Sequence, residues 1–462
     1  MRLLLTAQTF VHFSYTTYIL SFFIVDAANE TMSSANQQKF ADALTSSLYS
    51  EPNECSSALS VSMVFSLLYP GATNDGIIDM RDTFGYPDSS NMQLVWDDAA
   101  ERMTERANGA CISWSWNGDG TCVERRSQLK FANSVWLDKS DELNDAYVHV
   151  VGDYAMQANF NSPSSATAVN SWVKNATNGL IDGIVPEGEP LYPTKLLAVN
   201  SIYLESRWGG IELFDSMNTN LDTFYASPSR STKVSMAHFM NTVKEFDYSH
   251  EALAGYQTIK LPLQDNMSMI FVLPQTDGAK AVKSTALIAA LDGLEYTKVA
   301  LALPKFNFQS KYENDLKDSL IELGLDSLFS PGTDSLCGLL EDSACLSIDK
   351  VIQKTSIAVT EEGVLAAATT AVGMLGMAMP SRWEEPILMM LDHPFQFFIF
   401  DEEEKLMLFE GRLGAPKVPE EEPSTPLLDA KHSDANFWKS HFGWEPVDAP
   451  VPTSSTPLLQ SW

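Results

Sequence analysis

The 462-residue sequence predicts one large α+β domain, because helical and strand-like segments follow one another without strict alternation. Hydrophobic residues make up 45% of the chain, which is enough for a sizeable core at this length. The middle of the chain is a succession of strand-like apolar runs. This irregular order favours a mixed fold over a doubly wound parallel sheet.

Helices and strands are predicted from the spacing of apolar residues. Helical spacing occurs in segments 36–50, 57–69, 141–159, 168–180 and 314–323. The second of these is almost entirely apolar and is followed by Pro70-Gly71, which ends it. Strands are predicted at 129–137, 195–204, 233–238, 258–263, 268–273, 299–308, 351–360, 387–391, 395–400 and 406–410.

Both ends of the chain differ from this domain in composition. Residues 1–27 are uncharged from Leu3 to Val25 and predict a secretory signal, hence an extracellular protein. A membrane anchor is one alternative, and a cytoplasmic protein that starts at Met32 is another. The folded domain is expected over 33–416. Residues 417–462 are rich in Pro, Ser and Glu and predict a disordered tail, with docking motifs as the alternative.

Charge and cysteine content narrow the class of partner. Acidic residues outnumber basic ones 60 to 30, which argues against nucleic acid and against polyanions such as heparin. No spacing typical of a metal site occurs, so neither a metal nor another cofactor is expected. Cys111 with Cys122 and Cys337 with Cys345 are close enough to form two local disulfides, which leaves Cys55 unpaired. Sequons at Asn29, Asn175 and Asn266 suit a secreted glycoprotein.

One segment after the strand at 351–360 has the composition of a strand that is not yet in a sheet. It carries no charge between Glu362 and Arg382 and no proline between Gly363 and Met379. A central strand excludes proline, which cannot donate to the ladder. With period-two alternation, one face of the segment is small or β-branched throughout: Val364, Ala366, Ala368, Thr370 and Val372. The segment is therefore suited to insertion into a sheet; a transmembrane helix is the alternative.

Five motifs in this order resemble the serpin family of protease inhibitors over about residues 34–416. They are 170–173 with 177–179, 198–203 with Trp208, Pro304-Lys305-Phe306, 359–372, and 392–395 with 408–412. The resemblance implies a monomeric serpin-like α+β fold with three β-sheets, eight or nine helices and an exposed reactive-centre loop.

The resemblance also implies a suicide-substrate mechanism and no catalytic residues. A protease attacks the loop, forms an acyl-enzyme, and is trapped when the loop inserts into the main sheet. The inserting hinge would consist of Glu361, Glu362, Gly363, Val364, Ala366, Ala367, Ala368 and Thr369. The cleaved bond would be Met377–Ala378, with Leu375 and Met379 as neighbouring candidates. Arg382 lies too far along the loop.

In the family, polar residues beneath the main sheet control its opening. The corresponding residues here are Ser57, Ser60, Asn200, Gln353 and Lys305. Gln353 stands where the family has His, and Ala58 where Pro is common. Lys305 is expected to pair with Glu361 at the top of the sheet. Leu365 replaces a usual Glu on the outward face of the hinge.

An apolar residue at the cleaved bond indicates targets with a hydrophobic primary pocket. These are elastase-, chymotrypsin- or subtilisin-like serine proteases, with cysteine proteases as a further class. The rival hypothesis is a serpin that no longer inhibits and acts as a binding or storage protein. The small, uncharged hinge favours inhibition over this rival.

Overall fold

The computed structural model describes residues 34–86, 92–108, 111–114, 122–125, 127–210, 213–364, 385–417 and 438. Helices and strands are interspersed along these segments, as expected for an α+β fold. The helices are α1 (Ser34–Leu48), α2 (Ala58–Leu68), α3 (Asn74–Phe84), α4 (Met92–Asn108), α5 (Asp145–Val151), α6 (Ser164–Ala176), α7 (Ser284–Ala290), α8 (Asn314–Leu320) and α9 (Asp326–Phe329).

The described strands fall into three sheets. They are β1 (Glu54–Ser56), β2 (Cys111–Trp114), β3 (Cys122–Arg125), β4 (Ser127–Asp138), β5 (Ala155–Ala158), β6 (Leu196–Arg207), β7 (Thr219–Tyr225), β8 (Lys233–Ser249), β9 (Tyr256–Pro262), β10 (Met267–Pro274), β11 (Glu295–Pro304), β12 (Phe306–Tyr312), β13 (Lys350–Val359), β14 (Gly363–Val364), β15 (Ile387–Met390), β16 (Phe395–Asp401) and β17 (Leu406–Leu413). The six-stranded sheet has the order β12-β13-β14-β6-β4-β5. The nine-stranded sheet runs β1-β17-β16-β10-β9-β8-β11-β15 with β7 beside β8, and β2 and β3 form a hairpin.

Helix α2 joins the two large sheets. It contacts β4 and β6 of the six-stranded sheet and β17 of the nine-stranded sheet. Every residue of α2 is buried, which explains why its sequence is apolar on all faces rather than on one. Ser57 caps its N-terminus by accepting a hydrogen bond from the backbone N–H of Ser60. The core of the protein therefore lies directly beneath the six-stranded sheet.

Two segments differ from the sequence prediction. The predicted helix 141–159 is helical only over α5, because Gly152 ends it with a positive φ of 59°. The chain then forms β5, which pairs in parallel with β4 at the sheet edge. The predicted strand 299–308 is two strands in different sheets, β11 and β12, separated at Lys305.

Helices α3, α4, α7 and the short α9 were missed by the sequence analysis. In α3 only Gly76, Met80 and Phe84 are buried, so one narrow stripe faces the core and the apolar periodicity is weak.

Among the described residues, no helix has both the length and the apolar character needed to cross a membrane. A disulfide joins Cys337 and Cys345, which confirms one of the two expected pairs, and Cys55 is a buried free thiol.

Glu410 on β17 makes the stability of this fold dependent on pH. Burial, with a smaller effect of the Asp42 carboxylate, raises the pKa of Glu410 from its ordinary 4.5 to about 7. The folded state therefore favours the protonated form, and this contribution is lost as pH rises from about 4.5 to 7. The Glu410→Gln variant is expected to match the wild type near pH 4.5. At pH 8 its free energy of unfolding should exceed the wild-type value by about 3 kcal/mol.

Urea unfolding of both proteins across this pH range measures that difference. A difference that does not change with pH would contradict the assignment.

Candidate functional site

The candidate site is the seam between β6 and β13, the two central strands of the six-stranded sheet. In the lower part of the seam these strands pair directly and in parallel. The pairing runs from Leu197 opposite Lys350 to Ile202 opposite Thr355. Above this level the two strands separate, and β14 lies between them. At the end that contains Leu197 and Lys350 the two strands are paired directly, and at the other end β14 separates them.

The first hinge residues occupy the open part of the seam. Gly363 pairs with Arg207 and Val364 with Ser206 on one side, and Val364 pairs with Val359 on the other. Val364 is 1% exposed. A Cβ at Gly363 would lie 2.1 Å from the carbonyl oxygen of Ser206, and the φ of Gly363 is 152°, so only glycine fits here.

The turn between β13 and β14 is fixed by Trp208, which follows β6. The backbone N–H of Trp208 donates to the carbonyl of Glu362 at 3.0 Å. Its indole Nε1 donates to the carbonyl of Thr360 at 2.9 Å. The turn itself is closed by a bond from the N–H of Thr360 to the carbonyl of Gly363 at 2.9 Å. The base of the hinge is thereby held in the sheet at a defined register.

Glu361 links this turn to the neighbouring sheet. Its carboxylate lies 3.2 Å from the ammonium nitrogen of Lys305 and accepts a 2.6 Å hydrogen bond from the hydroxyl of Thr219. Only 10% of the Glu361 side chain and 19% of the Lys305 side chain are exposed. An ion pair this sheltered is screened less by salt than a surface pair. The pair therefore ties the first hinge residue to the connection between β11 and β12.

Below the hinge, a row of buried amide side chains crosses the sheet at one level. Asn133 of β4 lies opposite Asn200 of β6, and Asn200 lies opposite Gln353 of β13. The Asn200 Nδ2 donates to the Asn133 Oδ1 at 2.6 Å, and the Gln353 Nε2 donates to the Asn200 Oδ1 at 2.6 Å. We call these three residues, together with Ser57 and Ser60, the buried amide cluster.

The two serines connect the row to α2. Asn200 Nδ2 also donates to the hydroxyl of Ser60 at 2.6 Å. Gln353 donates to the carbonyl of Ser57 at 2.8 Å and accepts from its N–H at 3.2 Å. Asn200, Gln353 and Ser60 are 0% exposed, so these bonds form where water does not compete. Parting β6 from β13 breaks the bond between Asn200 and Gln353.

Asn133 was missed by the sequence analysis. Its neighbours on β4 are largely apolar, and a single polar residue in a strand does not identify its cross-strand partners. The informative signal is its inward position: it is 6% exposed, in a strand whose second half is buried throughout. A buried Asn must find hydrogen-bond partners, which here lie on the next strand.

The buried amide cluster consists of neutral groups, so it adds no pH dependence of its own between pH 5 and 7.5 to that contributed by Glu410. The Gln353→His variant should change this, because burial lowers the pKa of a histidine below 6.5. Its neutral ring keeps a donor and an acceptor, but its protonation at pH 5 places a charge in the seam and favours strand separation. Thermal unfolding of both proteins at pH 5 and 7.5 measures the effect as the difference in melting temperature between variant and wild type at each pH, which removes the contribution that Glu410 makes to both. A difference between variant and wild type that is the same at both pH values would contradict the interpretation.

The remaining predicted residues lie outside the described part of the chain. These are Ala366, Ala367, Ala368, Thr369, Met377 and Ala378, with the alternatives Leu375, Met379 and Arg382. The described structure resumes at Glu385, and β15 pairs in parallel with β11 of the nine-stranded sheet. Residues 365–386 therefore connect the two large sheets. The site can accept a further strand between β6 and β13. The first two residues of that strand, Gly363 and Val364, already pair there.

This seam, its entering hinge and the fold around them define a class of protein. The family described as "Serpin (serine protease inhibitor)" matches residues 35–416, and the chain belongs to it. Serpins are a family of protease inhibitors, and the α+β fold is that of the family.

Similar proteins come from distant organisms. "Serine protease inhibitor 42Dd" of Drosophila melanogaster is 30% identical over 380 residues, which cover 81% of this chain and 94% of the relative. The thermophilic serpin tengpin in its native state superposes with a TM-score of 0.67 at 23% identity, over 82% of this chain and 93% of tengpin. Human thyroxine-binding globulin complexed with thyroxine also gives a TM-score of 0.67, at 20% identity, over 83% and 98% of the two chains.

Proposed function

We propose that the chain inhibits serine proteases as a suicide substrate. The protease's serine hydroxyl attacks the carbonyl carbon of Met377, and the amine of Ala378 leaves with a proton, so that an ester joins the inhibitor to the enzyme. The freed hinge then inserts between β6 and β13 and carries the enzyme with it. The observation that supports this most is the pairing of β14. It holds β6 and β13 at the same relative register that the two strands have where they pair directly.

The register argument uses two pairings at different levels of the seam. Val364 lies opposite both Ser206 and Val359, so these two residues are level with each other across β14. Asn200 and Gln353 are level where the strands pair directly. The difference between the two residue numbers is the same for Ser206 and Val359 as for Asn200 and Gln353. Strand insertion therefore requires β6 and β13 to separate by one strand spacing, about 4.8 Å, without sliding past each other.

Continuing this register assigns a place to each inward residue of the hinge. Alternate residues would pack against buried neighbours on β6 and β13. The levels are Ala366 with Leu204 and Ile357, Ala368 with Ile202 and Thr355, Thr370 with Asn200 and Gln353, and Val372 with Ala198 and Val351. The hydroxyl residue of this face, Thr370, thus meets the two amides that its insertion would separate. A hydroxyl can both donate and accept, so it can replace the lost hydrogen bond.

The same register sets how far an attached enzyme would travel. Gly373 reaches the level of Leu197 and Lys350, the last pair of the seam. Met377 lies four residues beyond that level. Thirteen extended residues from Val364 to Met377 span about 43 Å at roughly 3.3 Å each. The ester would therefore lie past the end of the sheet opposite to the turn at Glu361.

Incubation of the chain with chymotrypsin, elastase and subtilisin tests this function. Denaturing electrophoresis should show a complex that survives boiling in detergent, and mass spectrometry should place the ester at Met377. Met377→Arg should shift inhibition from chymotrypsin to trypsin. Cleavage by every enzyme tested without any stable complex would contradict the proposal.

A second candidate function is the binding of a small apolar molecule, as in the thyroxine-binding relative. A cavity of about 860 Å³ lies between α1 and the strands β10, β16 and β17. The wall of the cavity is mainly apolar, and its polar groups include those of Tyr49, Glu410 and Arg412. A volume of this size suits a drug-sized ligand. Titration with thyroxine, followed by thermal unfolding, would favour this function if the melting temperature rose in a saturable way and no protease complex formed.

We also propose that the protein is secreted. Asn175 and Asn266 are exposed sequon residues, and the Cys337–Cys345 disulfide suits an oxidising compartment. Expression of the full chain in eukaryotic cells should yield protein in the medium that shifts in mass after glycosidase treatment. Retention in the cytoplasm without glycans would exclude this localisation.

A further inference from the structure

We infer that the C-terminal extension is anchored to the inhibitor domain through Trp438. The family match ends at residue 416, so Trp438 lies more than twenty residues beyond the domain that the family defines. Its side chain is nevertheless 0% exposed and is among the largest fully buried side chains of the described residues. An indole ring of this size cannot lose all contact with water unless other groups surround it on every side.

Buried residues of the domain are among the groups around this ring. Trp438 is a member of the central hydrophobic cluster, whose other buried members all lie between Phe40 and Leu413. It belongs neither to the cluster around α6 nor to the smaller cluster around α7. The ring therefore packs into the main core shared by the two large sheets. Trp438 thus contributes to the core of a domain that ends more than twenty residues before it.

This anchoring is separate from protease inhibition, because it involves neither the seam between β6 and β13 nor residues 365–386. It gives Trp438 a structural role, because its ring covers apolar surface of the main core. Removal of a buried aromatic ring from a core is among the most destabilising single substitutions. Exposed surface tyrosines provide the contrast, since Tyr296 is 72% exposed.

Full-length Trp438→Ala, Trp438→Phe and Tyr296→Ala variants test the inference by thermal unfolding. Trp438→Ala is expected to lower the melting temperature by about 5–10 °C, and Tyr296→Ala by less than about 2 °C. Trp438→Phe keeps an apolar ring and should give a smaller loss. If Trp438→Ala does not fold, the melting temperature of Trp438→Phe tests the inference instead. Melting temperatures equal to the wild type for both Trp438 variants would overturn the inference.

Trypsin provides a second measurement, because Lys439 follows Trp438 directly. Cleavage after Lys439 releases residues 440–462, and mass spectrometry of the full-length protein can time it. The cleavage is expected to be at least about tenfold slower in the wild type than in Trp438→Phe or Trp438→Ala, because proteolysis follows local opening. An unchanged rate in the variants would show that Trp438 does not hold the extension.

Discussion

The Ala366→Arg variant is expected to be cleaved by target proteases as an ordinary substrate, with less than about a tenth of the enzyme trapped. If the inserting hinge continues the register of β14, residue 366 would face inward between Leu204 and Ile357, each 1% exposed. Insertion would bury an unpaired guanidinium there, at a cost of many kcal/mol. The loop remains cleavable because the Met377–Ala378 bond is unchanged. The acyl-enzyme would then hydrolyse before insertion is complete.

The adjacent Leu365→Arg variant is the matched control. In the same continued register residue 365 would face outward, between Glu205 and Ala358, which are both only half-buried. From this position the same charge would reach solvent, and the Glu205 carboxylate would lie beside it. Leu365→Arg is therefore expected to retain most of its trapping. The ratio of complex to cleaved inhibitor on a denaturing gel measures both variants. Equal ratios for both would disprove the assigned register.

The Asn200→Ala variant is expected to lower the stability of the native protein by about 3 kcal/mol. The side chain bonds to Asn133, Ser60 and Gln353 in a region closed to water. Its removal leaves an N–H of Gln353 without its acceptor and opens a small cavity at the seam. We expect the melting temperature to fall by roughly 3–6 °C and heat-induced polymers to form faster.

Asn307→Ala is the control for this change. Asn307 lies on β12 of the same sheet, opposite Ala358, but it is exposed. Removal of a solvated amide should change the melting temperature by less than about 1 °C. Differential scanning calorimetry of the two variants gives the comparison. If both lose the same stability, the amide cluster does not hold the seam closed.

Much of this fold follows from local patterns that the sequence displays directly. Strands β16 and β17 are two apolar runs separated by the charged residues of 401–405, and α2 is apolar on every face between clear start and stop signals. The hinge was recognisable because a charge-free, proline-free segment with small alternate residues is rare. These features depend on neighbours in sequence, which is why periodicity finds them.

Other features depend on contacts between distant residues. The position of Gly363 and Val364 in the sheet depends on their pairing with β6 and β13 and on the turn that Trp208 holds. The place of Asn133 in the buried amide cluster depends on cross-strand register. Burial of Trp438 depends on an apolar surface formed by residues far away in sequence. None of these has a local signature.

The most direct test of the account is the stability of the chain before and after its loop is cut. A protease that cleaves within residues 365–378 without being trapped frees the hinge, and thermal unfolding then compares native and cleaved protein. Insertion of the hinge as a complete central strand predicts that the melting temperature rises by tens of degrees, since a whole strand with its buried face is added to the sheet. A cleaved protein that melts at the native temperature would contradict the account, because the hinge would not have entered the seam.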